Sequence, residues 1–265
     1  MNAPNEQPTL DKDDQEQRAR RSIYLLPNLF TTGALFGGFY AIVAAMSGRF
    51  EAAAIAVFIA MVLDGIDGRV ARMTNTQSAF GAEYDSLSDM VSFGLAPALV
   101  MYEWALVHMK LFGAIPGKIG WLAAFFYAAM AAMRLARFNT QVGKVDKRYF
   151  HGLPSPTAAA ILMSMVWTLH GLDIQGESVR FPALFVTIVV GALMVSNFRY
   201  YSFKDLDFRN RVPFAIILLI VPVLMVAALA PAKVLFAAAT GYALSGPILA
   251  LLRWRRRRVR RSESQ

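Results

Sequence analysis

Apolar runs separated by short polar segments make up most of this chain, and each run is close to the ~20 residues that a helix needs to cross a bilayer. No soluble domain or strand-rich segment interrupts them. The runs occupy residues 26–47, 51–72, 87–108, 119–138, 156–173, 182–199, 212–230 and 233–252. The pattern predicts an all-α polytopic membrane helix bundle with about eight transmembrane helices.

Composition supports this class independently. Hydrophobic residues make up 56% of the 265 residues and the mean hydropathy is +0.42, whereas soluble domains are nearer ~45–50% apolar. The absence of cysteine excludes disulfides and thiolate metal sites. Residues 1–22 are polar and mixed in charge, and the first apolar run has no small-residue cleavage pattern, so we expect no cleavable signal peptide.

The lysines and arginines fall mainly on one side of the predicted bundle. Of the 27 basic residues, five lie in the segments assigned to the other side: Arg49, Lys110, Lys118, Arg180 and Lys233. By the positive-inside rule, both termini are therefore expected in the cytoplasm. The basic residues of the tail, 253–265, are expected to anchor the last span and to touch anionic lipid headgroups. The net charge of +9 therefore does not indicate a nucleic-acid partner.

Four aspartates stand at the border of two apolar runs, where an unpaired carboxylate is costly. Asp64 and Asp67 are three residues apart on one predicted helix, and Asp85 and Asp89 are four apart on the next, so each pair shares a face. Two facing helices would bring the four together. Such an all-oxygen cluster is typical of Mg²⁺ or Mn²⁺ sites, and two ions would hold both a substrate phosphate and an attacking hydroxyl.

The residues beside these aspartates favour a phosphate-bearing ligand. Gly68 and Ala71 offer almost no side chain, which would let a nucleotide or pyrophosphate lie against the helix backbone. Arg72 follows with a guanidinium that pairs well with phosphate.

This segment resembles the CDP-alcohol phosphatidyltransferase family. Written out, it is D-x-x-D-G-x-x-A-R, eight residues, then G-x-x-x-D-x-x-x-D. The matched positions are Asp64, Asp67, Gly68, Ala71, Arg72, Gly81, Asp85 and Asp89. The resemblance implies a six-helix core over residues 23–205 and a homodimer. A polar N-terminal segment (1–22), additional transmembrane helices (206–252) and the basic tail (253–265) would complete the chain.

Flanking stretches, including Asp85-Ser-Leu-Ser-Asp89-Met-Val-Ser-Phe-Gly-Leu-Ala-Pro97, are similar to the integral-membrane phosphatidylserine synthases of bacteria and archaea. The resemblance implies transfer of the phosphatidyl group from CDP-diacylglycerol to L-serine, with release of CMP, in the bacterial cytoplasmic membrane. It also implies that Asp89 removes the serine proton, and that Asn28 and Ser78 contact the CDP group. By the positive-inside rule, the aspartate motif is expected on the cytoplasmic side together with both termini.

Arg134 and Arg137 have two competing interpretations. They stand at the end of the fourth apolar run, where basic residues commonly fix topology. Alternatively, one of them binds the serine carboxylate or a CDP phosphate, because arginine holds such groups through two parallel hydrogen bonds.

Two other functions remain open on the sequence. The acceptor alcohol could be glycerol 3-phosphate, inositol phosphate or choline, and a phosphorylated acceptor would need a further basic pocket. A divalent-cation transporter would also place carboxylates inside the membrane, although Gly68, Ala71 and Arg72 at nucleotide-site spacing argue against it.

Overall fold

The structure, a computed structural model, describes residues 10–141, 149–201 and 225–262, and it is all-α apart from one small sheet. The α-helices are α1 (Leu10–Met46), α2 (Phe50–Met73), α3 (Ala79–Asp89), α4 (Ala96–Trp104), α5 (Ala114–Gln141), α6 (Ser155–His170), α7 (Arg180–Val195) and α8 (Pro231–Ser262). A π-helical segment, Met90–Leu95, joins α3 to α4. Two 3₁₀ helices, Leu106–Phe112 and Gly176–Val179, precede α5 and α7.

Several of these helices are suited to cross a membrane, which confirms the predicted class. Within the described part of the chain, four are long and apolar enough: Pro27–Met46, Ala114–Thr140, Gly176–Val195 and Pro231–Leu252. A fifth candidate is Ala79–Trp104 with Leu106–Phe112, which is bent by 41°. The helix α2 covers the predicted second span, although its last third carries the charged motif.

Several helices extend beyond the apolar runs that predicted them. The helix that holds Asp85 and Asp89 begins at Ala79, ahead of the third run, and the segment between the third and fourth runs is helical apart from Gly113, where φ is +111°. The first helix extends back to Leu10 without a break, and the last one continues into the basic tail. Most of the predicted seventh span, 212–230, lies outside the described residues.

Small residues bring α1 and α2 close together. A Cβ on Gly37 would lie 3.1 Å from the Ala56 carbonyl oxygen and 3.1 Å from the Ala60 side chain. The next residue, Gly38, faces the π-helical segment instead, where an added Cβ would lie 2.7 Å from the Cα of Ser92. Without large side chains between them, the helix backbones approach closely, as is common between membrane helices.

Buried hydroxyl groups fix α3 and the π-helical segment against α1. Ser88 donates a hydrogen bond to the Thr31 carbonyl at 3.1 Å, and Ser92 donates to the Ala34 carbonyl at 2.9 Å. On the opposite side, the fully buried Tyr127 of α5 donates to the Phe93 carbonyl at 3.0 Å. Since π-helical turns form directly after Asp89, these bonds hold the end of the motif helix between α1 and α5.

A two-stranded antiparallel sheet, β1 (Tyr149–His151) with β2 (Arg199–Tyr201), was not predicted from the sequence. Beside it, Gly152 has a φ of +81°, and an added Cβ would lie 2.1 Å from the Met194 carbonyl oxygen. Only glycine fits there. The backbone N–H groups of Gly152 and Leu153 donate to Phe198 and Leu193, so the start of α6 is fixed next to the end of α7.

Candidate active site

The four motif aspartates converge between α2 and α3, as the spacing predicts. One carboxylate oxygen from each of Asp64, Asp67 and Asp85 lies within 4.8 Å of the other two. Asp64 also interacts directly with Asp89. The i,i+3 and i,i+4 spacings put each pair on one helix face, and the packing of α1 against both helices brings the two faces together.

No described lysine or arginine side chain forms a direct ion pair with these carboxylates. Among the described residues, one ion pair within 4.0 Å is present, and it joins Glu177 to Arg180 at the start of α7. Asp85 Oδ1 and Asp89 Oδ1 are buried and have no hydrogen-bond partner among the described atoms. Buried carboxylate oxygens without partners are costly.

A divalent cation fits this donor set. Hard carboxylate oxygens that approach one another within one coordination sphere are what Mg²⁺ and Mn²⁺ prefer. The unpartnered oxygens of Asp85 and Asp89 supply metal ligands that no group in the described part of the chain uses. The cluster can therefore hold a divalent metal ion.

Thr31 is a functional candidate that sequence reasoning missed. Its hydroxyl donates to Asp67 Oδ2 at 2.7 Å, and both residues are buried. The Pro27 carbonyl lies 3.1 Å from the same hydroxyl, but the charged carboxylate is the stronger acceptor. In the sequence, Thr31 could have been noticed only as a threonine one helical turn after Pro27.

A cavity of about 270 Å³ opens beside the aspartates. It is bounded by α1, the last turns of α2, the turn before α3 and the first turns of α3. All five residues that the sequence assigned to CDP binding line it together with Asp67 and Asp85: Asn28, Gly68, Ala71, Arg72 and Ser78. Thr76 and Gln77 also line this cavity, and the sequence analysis did not identify them.

Ser78 has a structural task at this cavity as well. It is the N-cap of α3, and its hydroxyl accepts a hydrogen bond from the Gly81 N–H at 3.0 Å. A Cβ on Gly81 would lie 3.1 Å from Ser78 Oγ and 3.6 Å from Asn28 Oδ1. Because Gly81 has no side chain, it leaves room for the side chains of Ser78 and Asn28.

The structure separates the two candidate arginines. Arg134 is half-buried, interacts electrostatically with Asp89, and donates through Nη1 to the buried Ser155 Oγ at 2.5 Å. Arg137 instead donates to the Val195 carbonyl at 3.3 Å and to Asn197 Oδ1 at 2.9 Å. Arg134 thus adjoins the aspartate cluster, while the hydrogen bonds of Arg137 hold the segment that follows α7.

A membrane-type helix bundle with convergent carboxylates beside an open cavity has the features of a metal-assisted phosphoryl-transfer enzyme. Comparison with known families gives the specific assignment. Residues 24–194 match the model of the CDP-alcohol phosphatidyltransferase family. The chain therefore belongs to that family of enzymes.

Curated relatives carry more specific names. A "CDP-diacylglycerol--serine O-phosphatidyltransferase" of Helicobacter pylori is 38% identical over 188 residues, covering 71% of this chain and 76% of the relative. A protein of the same name from Mycobacterium tuberculosis is 36% identical over 156 residues, covering 56% and 52%. An "Archaetidylserine synthase" of Methanothermobacter thermautotrophicus is 33% identical over 181 residues, covering 68% and 70%.

Proposed function

We propose that the protein transfers the phosphatidyl group of CDP-diacylglycerol to the hydroxyl of L-serine, giving phosphatidylserine and CMP. Three features that support this proposal lie together in the structure. A carboxylate cluster, a cavity lined by the family motif and an arginine beside Asp89 all meet at the ends of α2, α3 and α5. The names of the relatives support serine as the acceptor.

The metal ligands of this proposal are Asp64, Asp67, Asp85 and Asp89, which would hold two ions of Mg²⁺ or Mn²⁺. When bound, such ions would neutralise charge on the pyrophosphate and polarise the reacting oxygens. The unpartnered oxygens on Asp85 and Asp89 support this role.

The nucleotide half of the substrate would occupy the 270 Å³ cavity. Gly68 and Ala71 leave the face of α2 open there, because neither carries a side chain longer than a methyl group. Arg72, on the same helix, is placed to pair with phosphate oxygens. Asn28 and Ser78 lie across the cavity and would contact the CDP group.

Asp89 acts as the general base. The serine hydroxyl oxygen forms a bond to the phosphorus of the diacylglycerol phosphate, its proton passes to Asp89, and the bond from that phosphorus to the CMP oxygen breaks. The position of Asp89 at the end of α3, beside Asp64 and within the electrostatic reach of Arg134, supports this role.

Arg134, rather than Arg137, would bind the serine carboxylate. Of the hydrogen bonds in the described part of the chain, Arg134 makes one, to Ser155, so most of its five N–H donors remain for a ligand. Arg137 already uses both terminal nitrogens on the segment after α7. A carboxylate held by Arg134 would bring the serine hydroxyl toward Asp89.

We assign the enzyme to the bacterial cytoplasmic membrane, which it would cross eight times. The active site and both termini would face the cytoplasm. Residues 23–205 would form the six-helix core, 206–252 the additional helices, and 1–22 and 253–265 the cytoplasmic ends. A homodimer follows from the family resemblance.

One experiment tests the acceptor. The purified protein is incubated with CDP-diacylglycerol, Mg²⁺ or Mn²⁺, and labelled L-serine, glycerol 3-phosphate, inositol phosphate or choline. L-serine alone should release CMP, and the lipid product should carry a free amine and a carboxylate. Turnover with another acceptor instead of serine would refute this substrate. Uptake of Mn²⁺ into protein-containing liposomes without consumption of CDP-lipid would refute the enzymatic reaction altogether.

A further inference from the structure

The helix that carries Asp85 and Asp89 passes directly into the π-helical segment Met90–Leu95. Asp89 is the last residue before this segment, and at its far end the Ala96 N–H donates to the Val91 carbonyl, five residues earlier instead of four. A π-helical turn thus takes up about one residue more than an α-helical turn, and such turns are rare and concentrate at functional sites. The orientation of Asp89 therefore depends on how this segment is held.

The extra residue determines which side of α3 faces α2. Leu87, Leu95 and Leu99 are 66%, 38% and 38% exposed, so they form one outward row across the segment. In a regular α-helix, at about 100° per residue, Leu87 and Leu99 would point about 120° apart. Because the segment takes up one more residue, this difference falls to about 20°. If the segment became α-helical while α4 stayed in place, α3 would turn by about 100° and carry Asp89 away from α2.

Pro97 explains why the extra residue is placed here. Proline has no N–H, so residue 97 cannot donate the usual helical bond to the Phe93 carbonyl, and its ring clashes with that carbonyl in a regular helix. The fully buried Tyr127 of α5 supplies the missing proton, because its hydroxyl donates to the Phe93 carbonyl at 3.0 Å. A buried carbonyl needs such a partner. The bond from Tyr127 therefore stabilises the segment in its π-helical form.

The π-helical segment packs tightly between α1 and α5. An added Cβ on Gly94 would lie 3.0 Å from Met90 Sδ and 3.2 Å from the Ala131 side chain of α5. On the other side, Ser92 donates to the Ala34 carbonyl of α1 at 2.9 Å. Hydrogen bonds thus hold the segment on both sides, and Tyr127 provides the bond on the α5 side.

We infer that Tyr127 is a positioning residue for the phosphatidyl transfer. By completing the π-helical segment after Asp89, it holds α3 in the rotation that directs this carboxylate toward α2, where the acceptor hydroxyl loses its proton. The Tyr127 hydroxyl is directed at the Phe93 backbone, so it acts through Asp89 and not on a substrate. The inference rests on the proposed function, because it takes Asp89 as the general base. It adds α5 to the elements that orient this base.

The test compares Tyr127→Phe with Tyr200→Phe, which remove the same group from equivalent places. Tyr200 is also fully buried, and its hydroxyl donates at 3.1 Å to the Ala243 carbonyl, four residues before Pro247 on α8. Both variants should unfold at a lower temperature in detergent. At saturating Mn²⁺, CDP-diacylglycerol and L-serine, only Tyr127→Phe should lose kcat, by about ten-fold or more, because a small displacement of a reacting group is costly.

The two kinetic constants of Tyr127→Phe separate positioning from general support of the fold. Its KM for CDP-diacylglycerol should stay within about two-fold of the wild type, because the nucleotide cavity is lined by α1, α2 and the first turns of α3. A kcat equal to that of the wild type would overturn the inference. An equal loss of kcat in Tyr200→Phe would also overturn it, since Tyr127 would then only stabilise the fold.

Pro97→Ala gives the same test if Tyr127→Phe does not fold. Residue 97 regains its N–H, so the Phe93 carbonyl can accept the usual helical bond and the segment can become α-helical. We expect kcat to fall by about ten-fold or more while the unfolding temperature stays at or above that of the wild type. Wild-type kcat in this variant would overturn the inference. A wild-type protein that does not use L-serine would instead refute the proposed function, on which the inference rests.

Discussion

Replacement of Thr31 by valine should weaken metal binding, because it removes the hydroxyl that donates to Asp67 Oδ2 at 2.7 Å. Valine has nearly the same shape, so the packing of α1 is kept. A hydrogen bond to a charged group contributes about 1.5–3 kcal/mol, and the loss of a group that orients a metal ligand typically lowers metal affinity by about 10- to 100-fold. We expect a decrease in Mn²⁺ affinity within that range.

Mn²⁺ titration of the purified protein, followed by calorimetry or by the EPR signal of free Mn²⁺, measures this effect without turnover. Thr31→Ser retains the hydroxyl and should restore most of the affinity. Thr32→Val is the matched control, because Thr32 bonds the Asn28 carbonyl and the Tyr84 hydroxyl instead of an aspartate. Equal Mn²⁺ affinity in Thr31→Val and Thr32→Val would refute the positioning role of Thr31.

Three further predictions follow from the same structure. Asp89→Asn should insert and fold normally but lose turnover by orders of magnitude, since it removes the base; near-normal kcat would contradict this. Arg134→Ala should reduce kcat/KM for L-serine by about ten-fold or more, whereas Arg137→Ala should chiefly lower thermal stability. A loss of serine kinetics in Arg137→Ala but not in Arg134→Ala would assign the serine carboxylate to Arg137 instead. Gly152→Ala should lower the unfolding temperature in detergent far more than Gly48→Ala, because both have positive φ but only Gly152 faces a carbonyl; equal shifts would argue against this clash.

The sequence predicted the membrane class from the length of its apolar runs, and the aspartate cluster from the spacing of residues within each helix. Helical periodicity places Asp64 with Asp67, and Asp85 with Asp89, whatever the tertiary structure. The family resemblance also pointed to Asn28, Gly68, Ala71, Arg72 and Ser78, which line the 270 Å³ cavity, but not to Thr76 and Gln77.

Features that depend on contacts between distant segments were not predictable in this way. The bond from Thr31 to Asp67 joins residues 36 positions apart, and nothing in the local pattern of α1 specifies it. The β1–β2 pairing joins two three-residue segments about 50 positions apart, each too short to show alternation. The different partners of Arg134 and Arg137 depend on Ser155 and Asn197, which the helix pattern does not place.

In the proposed reaction, the aspartates hold the metal on which CDP-lipid binding depends. Equilibrium binding of CDP-diacylglycerol, with Mn²⁺ and then with excess chelator, measures it directly in the wild type, in Asp64→Ala and in Glu51→Ala. Glu51 is the control, because it lies at the other end of α2 and accepts from Trp167. Chelation should abolish binding to the wild type and to Glu51→Ala, and Asp64→Ala should bind weakly with or without Mn²⁺. Wild-type affinity and unchanged metal dependence in Asp64→Ala would contradict the account.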